Sequence, residues 1–335
     1  MHMADALLSP AVGLTMSAVS LGAVGYSISK IKRDDLCEKK IPVMGVAGAF
    51  VFAAQMINFT IPATGSSGHI GGGILLAAML GGFPALLTLS AVLIIQALFF
   101  ADGGLIALGC NIFNMGVIPC LLVYPLIFKP LVKKGLTYKR ITVASIVSVI
   151  VGLQLGAFGV VLETLASGVA ELPFQSFLLL MQPIHLAIGI AEGIITAAAL
   201  CFVYQMRPEL FESAAAGSGI PSGVSMKKVL ISLGVVALLT GGLLSLFASS
   251  YPDGLEWSME KVAGTAELAT RGEVFDGAAK VQEKTAFLPN YDYADGNGSG
   301  TSVAGIAGGA LTFALAGLTG FLISKSKKKK REAAA

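Results

Sequence analysis

The sequence predicts an all-α fold, a polytopic membrane bundle of about seven helices followed by two more transmembrane helices at the C-terminal end. Hydrophobic residues make up 55% of the 335-residue chain and charged residues only 13%, and the mean hydropathy is +0.79. A typical soluble domain carries about 25% charged residues, so the composition excludes that class. Several apolar runs approach the roughly 20 residues that a helix needs to cross a bilayer.

Nine segments are predicted to be helical, and they are hydrophobic on all sides rather than amphipathic. They lie near residues 11–29, 41–60, 71–82, 84–101, 105–128, 141–163, 174–206, 228–248 and 302–324. The first seven are expected to form the bundle, although the third is short and glycine-rich. The last two flank a long polar segment and form a separate pair.

Basic residues collect in two short loops, which predicts that both loops are cytoplasmic. Those between the first two helices are Lys30, Lys32, Arg33, Lys39 and Lys40, and those between the fifth and sixth helices are Lys129, Lys133, Lys134, Lys139 and Arg140. The two loops share a side only if the short third segment crosses. The basic run from Lys325 to Arg331 is expected on the same side. The N-terminus is therefore predicted outside, together with residues 61–70, 102–104, 163–173 and 249–301.

A stretch from Arg207 to Val224 is rich in glycine, serine and proline, which is typical of a linker. The predicted organisation is a membrane domain over residues 1–207, a cytoplasmic linker over 208–227, and a second module over 228–335. This module contains the last two helices and the outer segment between them.

The second residue is a histidine, which gives the terminus itself the capacity to bind a metal ion. Removal of the initiator methionine generally needs a small second residue, and no signal peptide is evident, so Met1 is expected to keep a free amine. That amine, the His2 amide nitrogen and His2 Nδ1 can close two chelate rings around one cation. Three nitrogens in a plane suit Ni(II) or Cu(II) and leave one position open. A chance histidine that binds nothing is the alternative.

His69 is the candidate for the open position. The predicted topology places it on the same side as His2, within GSSGHIGGG at residues 65–73. These glycines leave little side-chain bulk, so another segment can pack closely against the backbone. The His69 imidazole would then supply the fourth nitrogen. A flexible outer loop with a solvated histidine is compatible with the same residues.

The last of the three histidines, His185, lies inside a predicted helix with Gln182 before it and Glu192 after it. Ionisable groups inside a membrane usually face the bundle interior or a partner. A structural hydrogen bond is favoured over a metal role, because Met1, His2 and His69 already complete a site. Four polar residues in apolar surroundings are expected to orient loops or metal-binding groups: Asn58, Gln96, Asn111 and Asn114. The four cysteines form no CxxC pair and are expected to be packing residues.

Several motifs together resemble the CbiM/NikM family, the substrate-binding membrane components of energy-coupling factor transporters for cobalt and nickel. They are MHMADALLSP at the N-terminus, GSSGHIGGG, NIFNMG at residues 111–116 and HLAIGIAEG at 185–193. The resemblance implies a square-planar metal site made by the terminal amine, the amide and imidazole of His2, and the imidazole of His69. The chain departs from a common family pattern at Asp5-Ala6, where glycine usually follows the acidic residue, and this affects no implied ligand.

The segment YPDGLEW at residues 251–257 resembles the PDGLE segment of NikN-type accessory proteins. Such proteins have two transmembrane helices with an outer loop between them, which is the arrangement predicted here for residues 228–335. The resemblance therefore implies that an accessory module is fused to the receptor. Because the loop is of the PDGLE type, it favours nickel over cobalt.

The resemblance implies a component that passes Ni(II), or alternatively Co(II), inward across the cell membrane, with no organic cofactor. The implied partners are a membrane coupling (T) subunit, cytoplasmic ATPase subunits and the lipid bilayer, and no nucleic acid. The chain has no GxxxxGK[ST] phosphate loop, so ATP hydrolysis is expected from the partners rather than from this chain. Small residues on the first helix, such as Gly13 and Ser17, either meet the coupling subunit or pack within the bundle.

Two other classes remain open from the residues. One is a self-contained, ion-coupled carrier, for which Glu192 is the evident intramembrane carboxylate, although no internal repeat accompanies it. The other is a membrane metalloenzyme, which the absence of an HExxH motif disfavours.

Overall fold

The computed structural model describes residues 1–31, 40–216, 220, 226–266, 268–270, 272–293 and 300–332. Lys32, Arg33 and Lys39 of the first basic loop lie outside these residues, as does most of the predicted linker after Ala216. The helices of the described part are α1 (Pro10–Lys30), α2 (Lys40–Gln55), α3 (Gly73–Leu80), α4 (Gly82–Phe100), α5 (Leu108–Val132), α6 (Tyr138–Ser167), α7 (Phe174–Met206), α8 (Pro208–Ala216), α9 (Met226–Gly242), α10 (Gly254–Ala263), α11 (Glu273–Thr285) and α12 (Thr301–Glu332).

The membrane-protein fold predicted from the composition is confirmed. Within the described residues, seven segments are long and apolar enough to cross a membrane. They are α1, α4, α5, α6, α7, Leu230–Phe247 and Thr301–Ser326. Helices α2 and α3, which correspond to the second and third predicted segments, have 16 and 8 residues and are packed inside the bundle.

The predicted second helix ends early and is followed by a small antiparallel hairpin. Strand β1 (Phe59–Ile61) pairs with β2 (Ser66–Gly68). Pro62 after β1 has no backbone N–H, which favours a turn at this position. Ala63 and Gly65 in the turn both have positive φ, at 63° and 74°. The hairpin places His69 immediately after β2.

The chain between His69 and Gly82 connects the two ends of the bundle, as the predicted topology required. His69 contacts Met1 at one end. The α3–α4 junction at Gly81 and Gly82 lines a cavity at the other end together with Lys30, Lys40 and Lys129. An extended stretch followed by α3, whose eight residues are all buried, makes this crossing. The two basic loops therefore share one end of the molecule.

Several small residues of α1, among them Gly13 and Ser20, pack within the bundle. The Ser20 hydroxyl donates to the carbonyl of Gly109 at 2.6 Å, and Gly109 itself lies against the backbone of Ser17. Small residues let helices approach closely in a bilayer. The opposite face of α1 exposes large apolar side chains, including Leu14 and Leu21.

Helix α5 changes its hydrogen-bonding pattern along its length. Phe113–Phe128 is π-helical, and it contains Pro119 and Pro125. Each proline removes a backbone donor, so a regular α-helical ladder cannot run through this stretch. The π-helical stretch packs against α3, α4 and α6.

Residues 208–216 of the predicted linker form helix α8 instead of an irregular connection. Leu210, Phe211 and Ala214 are buried, and α8 packs against α3 and α7. Helices α9 and α12 then pack against α2. They approach each other closely at Gly241 and Gly305, where a side chain on either residue would collide with the facing backbone.

The described residues between 249 and 293, which we call the capping segment, lie over the end of the bundle that carries the N-terminus. Asp253 is the N-cap of α10 and accepts hydrogen bonds from the amides of Leu255 and Glu256, forming a capping box with the Glu256 side chain. Helix α10 packs against α7, and α11 packs against α4.

Candidate metal centre

The first residues of the chain are held inside the bundle. The Met3 amide donates to Asn111 Oδ1 at 2.7 Å, and Asn111 Nδ2 donates to the Met3 carbonyl at 3.2 Å. Asp5 Oδ1 accepts a hydrogen bond from the Ala107 amide at 2.9 Å. These contacts fix the terminal backbone against the start of α5, so that Met1 and His2 point towards the hairpin.

The structure brings the three residues of the predicted site together. The Met1 amine lies 3.2 Å from His69 Nε2. The imidazoles of His2 and His69 are stacked, with ring centres 5.2 Å apart and an angle of 24° between their planes. Met1 is 7% and His69 9% exposed. The terminus therefore lies in a largely enclosed space and not in solvent.

A backbone carbonyl fixes the tautomer of His69, and the Gln96 amide oxygen favours one tautomer of His2. His69 Nδ1 donates to the carbonyl of Ile70 at 3.1 Å, which leaves the Nε2 lone pair facing Met1. His2 Nε2 donates to Gln96 Oε1 at 3.1 Å, which leaves a lone pair on His2 Nδ1. Metal-bound histidines usually donate their other ring N–H in this way. Each ring thus presents the nitrogen that the chelate predicts.

Two carboxylates lie against these nitrogens. Asp102 Oδ1 is 3.3 Å from His2 Nδ1, and its other oxygen accepts a hydrogen bond from the Tyr291 hydroxyl. Asp253 makes a close ion pair with the Met1 amine. A carboxylate beside a nitrogen favours a cation at that nitrogen, whether a proton or a metal ion.

Burial keeps the imidazoles neutral. It lowers the pKa of His2 despite the opposing charge of Asp102. Burial, followed by the positive charges of the terminal ammonium and His2, lowers the pKa of His69 to about 3. Burial alone would raise the pKa of Asp253, but the adjacent ammonium holds that pKa well below its usual range. The centre therefore contains two neutral imidazoles and at least one charged carboxylate at neutral pH.

The capping segment closes this centre. The Ser67 amide donates to the carbonyl of Pro252 at 2.8 Å, and Trp257 Nε1 donates to the carbonyl of Thr64 at 3.0 Å. On the other side of the centre, Gln282 Nε2 donates to the carbonyl of Gly103 at 2.8 Å. The hairpin and the α4–α5 loop are thus both tied to residues far along the chain.

A metal site at this position depends on main-chain nitrogens. The described residues contain no group of three or more His, Cys, Asp and Glu side chains arranged to hold a metal ion. Two imidazole nitrogens, one amine and one amide can provide four nitrogen donors here, and such a set suits Ni(II) or Cu(II). A search for side-chain ligands alone would overlook it.

His185 and the other polar residues lie around this centre. His185 is buried in α7 and makes the expected structural hydrogen bond, since its Nδ1 donates to the Met181 carbonyl at 2.7 Å. Gln96 contacts His2, and Asn111 holds the Met3 backbone. Asn114 Nδ2 donates to Glu163 Oε2 at 2.8 Å, one layer away from the histidines.

Sequence reasoning did not find Asp102 or Asp253. Asp253 is distant in sequence from Met1, and its position depends on how the capping segment docks on the hairpin. Asp253 is part of the YPDGLEW motif, but that motif indicated only the presence of an accessory module. It did not indicate that Asp253 contacts Met1. Asp102 falls in the short α4–α5 loop, which was predicted to lie on the same outer side as His2 and His69. That shared side was the only feature of the sequence that pointed to Asp102.

Comparisons with known proteins agree with this architecture. A family model described as "Cobalt uptake substrate-specific transmembrane region" (CbiM) matches residues 2–210, and a PDGLE domain model matches residues 227–325. A putative fused nickel transport protein NikMN from Archaeoglobus fulgidus is 30% identical over 232 residues, covering 69% of this chain and 75% of its own.

A second relative and a solved structure extend this likeness. The fused nickel transport protein NikMN of Rhodobacter capsulatus is 30% identical over 263 residues, covering 71% of this chain and 73% of its own. The crystal structure of a truncated transition metal transporter is 28% identical, with a TM-score of 0.54, and covers 62% of this chain and 99% of its own. The predicted resemblance is confirmed: the chain belongs to the CbiM family of substrate-specific transmembrane proteins of cobalt uptake, and a PDGLE domain follows its family region.

Proposed function

We propose that this chain is the substrate-binding membrane component of an energy-coupling factor transporter that imports Ni(II), with Co(II) as the alternative cargo. The metal ion is bound in a plane of four nitrogens, from the Met1 amine, the His2 amide, His2 Nδ1 and His69 Nε2. The observation that carries the proposal is the buried convergence of the terminal amine with two imidazoles, each of which has a hydrogen-bond acceptor at its other ring nitrogen.

The donor set selects among divalent metals by its geometry. Planar nitrogen ligation suits Ni(II) and Cu(II), whereas Zn(II) in structural sites is usually tetrahedral. Raw affinity favours copper over nickel and nickel over cobalt, so copper is excluded by its availability or by the transport step. The names of the fused relatives, which specify nickel transport, support nickel as the cargo.

Asp102 and Asp253 stabilise the positive charge of the bound ion. A divalent ion with one deprotonated amide leaves a net positive charge inside a largely enclosed space, and an unpaired buried charge is costly. The two carboxylates lie against His2 and the terminal amine. Metal binding exchanges the ammonium proton beside Asp253 for the metal ion.

The partners and the orientation belong to the same proposal. Residues 1–207 form the metal-binding domain, and 228–335 form the accessory module joined to it through residues 208–227. The metal centre faces outside, and the basic loops and the C-terminal end of α12 face the cytoplasm. A membrane coupling subunit and cytoplasmic ATPase subunits supply the energy, and the exposed apolar face of α1 offers a contact for the coupling subunit or for lipid.

A one-residue extension tests the site. Adding a residue before Met1 converts the amine into a peptide nitrogen and moves the new amine out of the plane, so we expect tight nickel binding to be lost. His2→Ala and His69→Ala are expected to have the same effect. Calorimetry on the purified chain measures the affinity, and a residue added after Ala335 is the matched control. Undiminished affinity in the N-terminally extended chain contradicts the proposal.

A self-contained carrier is the second candidate, because Glu192 is an intramembrane carboxylate that lines a cavity next to His69. Nickel uptake into cells that express this chain with and without ATPase and coupling subunits separates the two functions. The proposed function predicts active uptake only with the partners. Equal uptake by the chain alone favours the carrier.

A further inference from the structure

A small cavity lies directly beneath the metal centre, on the side of the bundle interior. Its volume is about 40 Å³, and Met1 and His69 line its outer end. His185 and Glu192 of α7 also line the cavity. On the side of the hairpin it is lined by Gly68 and Gly71, which have no side chains to fill it. About 10–15 Å³ suffices for one water molecule, so this space can hold a small ion with part of its hydration shell.

His185 presents the same ring nitrogen, Nε2, to this cavity as His69 does. Its Nδ1 donates to the Met181 carbonyl at 2.7 Å, so Nε2 carries the lone pair. The side chain is 1% exposed, and no group among the described residues forms a hydrogen bond with Nε2. A buried imidazole nitrogen without a partner is costly. A structural role needs only the Nδ1 bond and leaves Nε2 unexplained.

Glu192 places a carboxylate on the same face of α7, deeper in the bundle. Seven residues are about two helical turns, so Glu192 lies about 10 Å further along the axis than His185. Its Oε1 accepts hydrogen bonds from the amides of Gly71 and Gly72, at 2.8 and 3.3 Å. Oε2 makes no hydrogen bond with these two amides, so one oxygen remains for another ligand. A carboxylate at this depth typically marks an ion pathway.

The capping segment covers His185 from the outer side. A Cβ atom on Gly254 would lie 2.7 Å from Ile188 Cδ1, 3.0 Å from His185 Cε1 and 3.2 Å from His185 Nε2, so a larger residue fits only if these side chains shift. Asp253, its neighbour in sequence, holds the Met1 amine. With this segment docked, the cavity communicates with Met1 and His69 and is closed above His185.

We propose that His185 and Glu192 form a second, inner cation site that receives the metal ion from the Met1, His2 and His69 centre during transport. This inference rests on the proposed function, because it assigns the next step of the same ion. His185 Nε2 is the first inner ligand, and Glu192 supplies an oxygen ligand further along the path. Because the two residues are about two helical turns apart, the ion contacts them in succession, and a single protein ligand at each step holds it less tightly than four nitrogens do.

The first test separates binding at the outer centre from transport. We expect His185→Gln to retain the absorption spectrum of square-planar nickel and the calorimetric affinity of the outer centre. Nickel uptake by cells that express the chain with its partner subunits should fall about 10–100-fold, the range for loss of a metal-orienting group. Gln182→Ala is the matched control, since Gln182 is on the same helix, hydrogen bonds to Gln154 and does not line the cavity.

The second test detects the inner site directly. A chain with His2→Ala and His69→Ala should keep a weaker nickel site in calorimetry, and adding His185→Ala should remove it. Wild-type uptake by His185→Gln, or weak binding that survives His185→Ala, overturns the inner site alone. Absence of the square-planar spectrum in the unsubstituted chain overturns the proposed function as well, so the two failures are distinguishable.

Discussion

Each of the three histidines has a hydrogen-bond acceptor at one ring nitrogen. Backbone carbonyls hold Nδ1–H of His69 and His185, and the Gln96 amide oxygen holds Nε2–H of His2. The lone pairs therefore face the metal centre and the inner cavity before any ion arrives. Such pre-orientation removes the cost of turning a ring when the ion binds.

Gln96 is the residue at which this orientation can be tested. Gln96→Ala removes the acceptor for His2 Nε2–H, so the ring is free to adopt the other tautomer. We expect nickel affinity to fall about 10–100-fold, measured by calorimetry. Gln154→Ala, which removes an amide bonded only to the Gln182 backbone carbonyl, is the control and should leave the affinity unchanged. An equal loss in both variants would indicate a general effect on the bundle.

The pH dependence of nickel binding should not follow the titration of a solvent-exposed histidine. A proton competes with a metal ion only below the pKa of the ligand, and the pKa of His69 is about 3. Affinity should still rise with pH, because binding releases the amide proton and the ammonium proton held by Asp253. Calorimetry from about pH 5 to 8 should show a steady rise, and a break near the reference imidazole value of roughly 6.5 would contradict the buried neutral state.

Sequence reasoning reached the residues of the proposed nitrogen donors but not the two carboxylates beside them. Met1 and His2 are adjacent, so their chelate follows from covalent geometry, and His69 followed from a predicted shared side. Asp253 meets the amine only because the capping segment folds back over the hairpin. No local pattern specifies such a long-range approach.

Among the elements, α10 reaches the candidate metal centre through its N-cap residue. Asp253 caps this helix and also pairs with the Met1 amine. Asparagine is nearly as good an N-cap as aspartate, whereas alanine costs typically about 1 kcal/mol. The two roles of Asp253 can therefore be separated by substitution.

We expect Asp253→Ala to increase amide hydrogen exchange across Gly254–Ala263, because both the cap and the ion pair are lost. Asp253→Asn keeps the cap and should show a smaller increase. Exchange measured by mass spectrometry on the full chain distinguishes the two, with α6 as the internal reference. Equal exchange in the two variants would show that the cap contributes nothing to docking.

Element boundaries were less predictable than element existence. The predicted helix over 41–60 stops at Gln55, because the hairpin uses the next residues to position His69. The predicted linker begins with α8, because Leu210 and Phe211 find a buried surface on the bundle. Both differences are tertiary effects, since neither the hairpin partner nor the receiving surface is adjacent in sequence.

At the scale of the whole molecule, the two basic loops and the end of α12 share one end, and the metal centre and capping segment share the other. Lys30, Lys40 and Lys129 line one cavity, and Gly320 of α12 lies against Ile41 near the start of α2. The positive charges therefore predict which end is cytoplasmic. The arrangement of the helices alone does not indicate which end faces the cytoplasm.

Cysteine labelling in intact cells tests this orientation. In a Cys37→Ser, Cys201→Ser background, Thr270→Cys on the exposed part of the capping segment should react with an impermeant maleimide. Lys134→Cys, exposed at the opposite end, should react only after permeabilisation. The reverse pattern would place the metal centre in the cytoplasm and contradict import from outside.

The contacts of Ser67 and Trp257 across the metal centre join two parts of a single polypeptide. Because the two parts are covalently joined, the effective local concentration of one at the other is set by the chain between them. Docking is then a unimolecular event, and dilution of the protein in the membrane does not weaken it. Two separate subunits would need to meet by lateral diffusion, so their occupancy would vary with expression level. In this chain, the ratio of capping segment to helical bundle is fixed at synthesis.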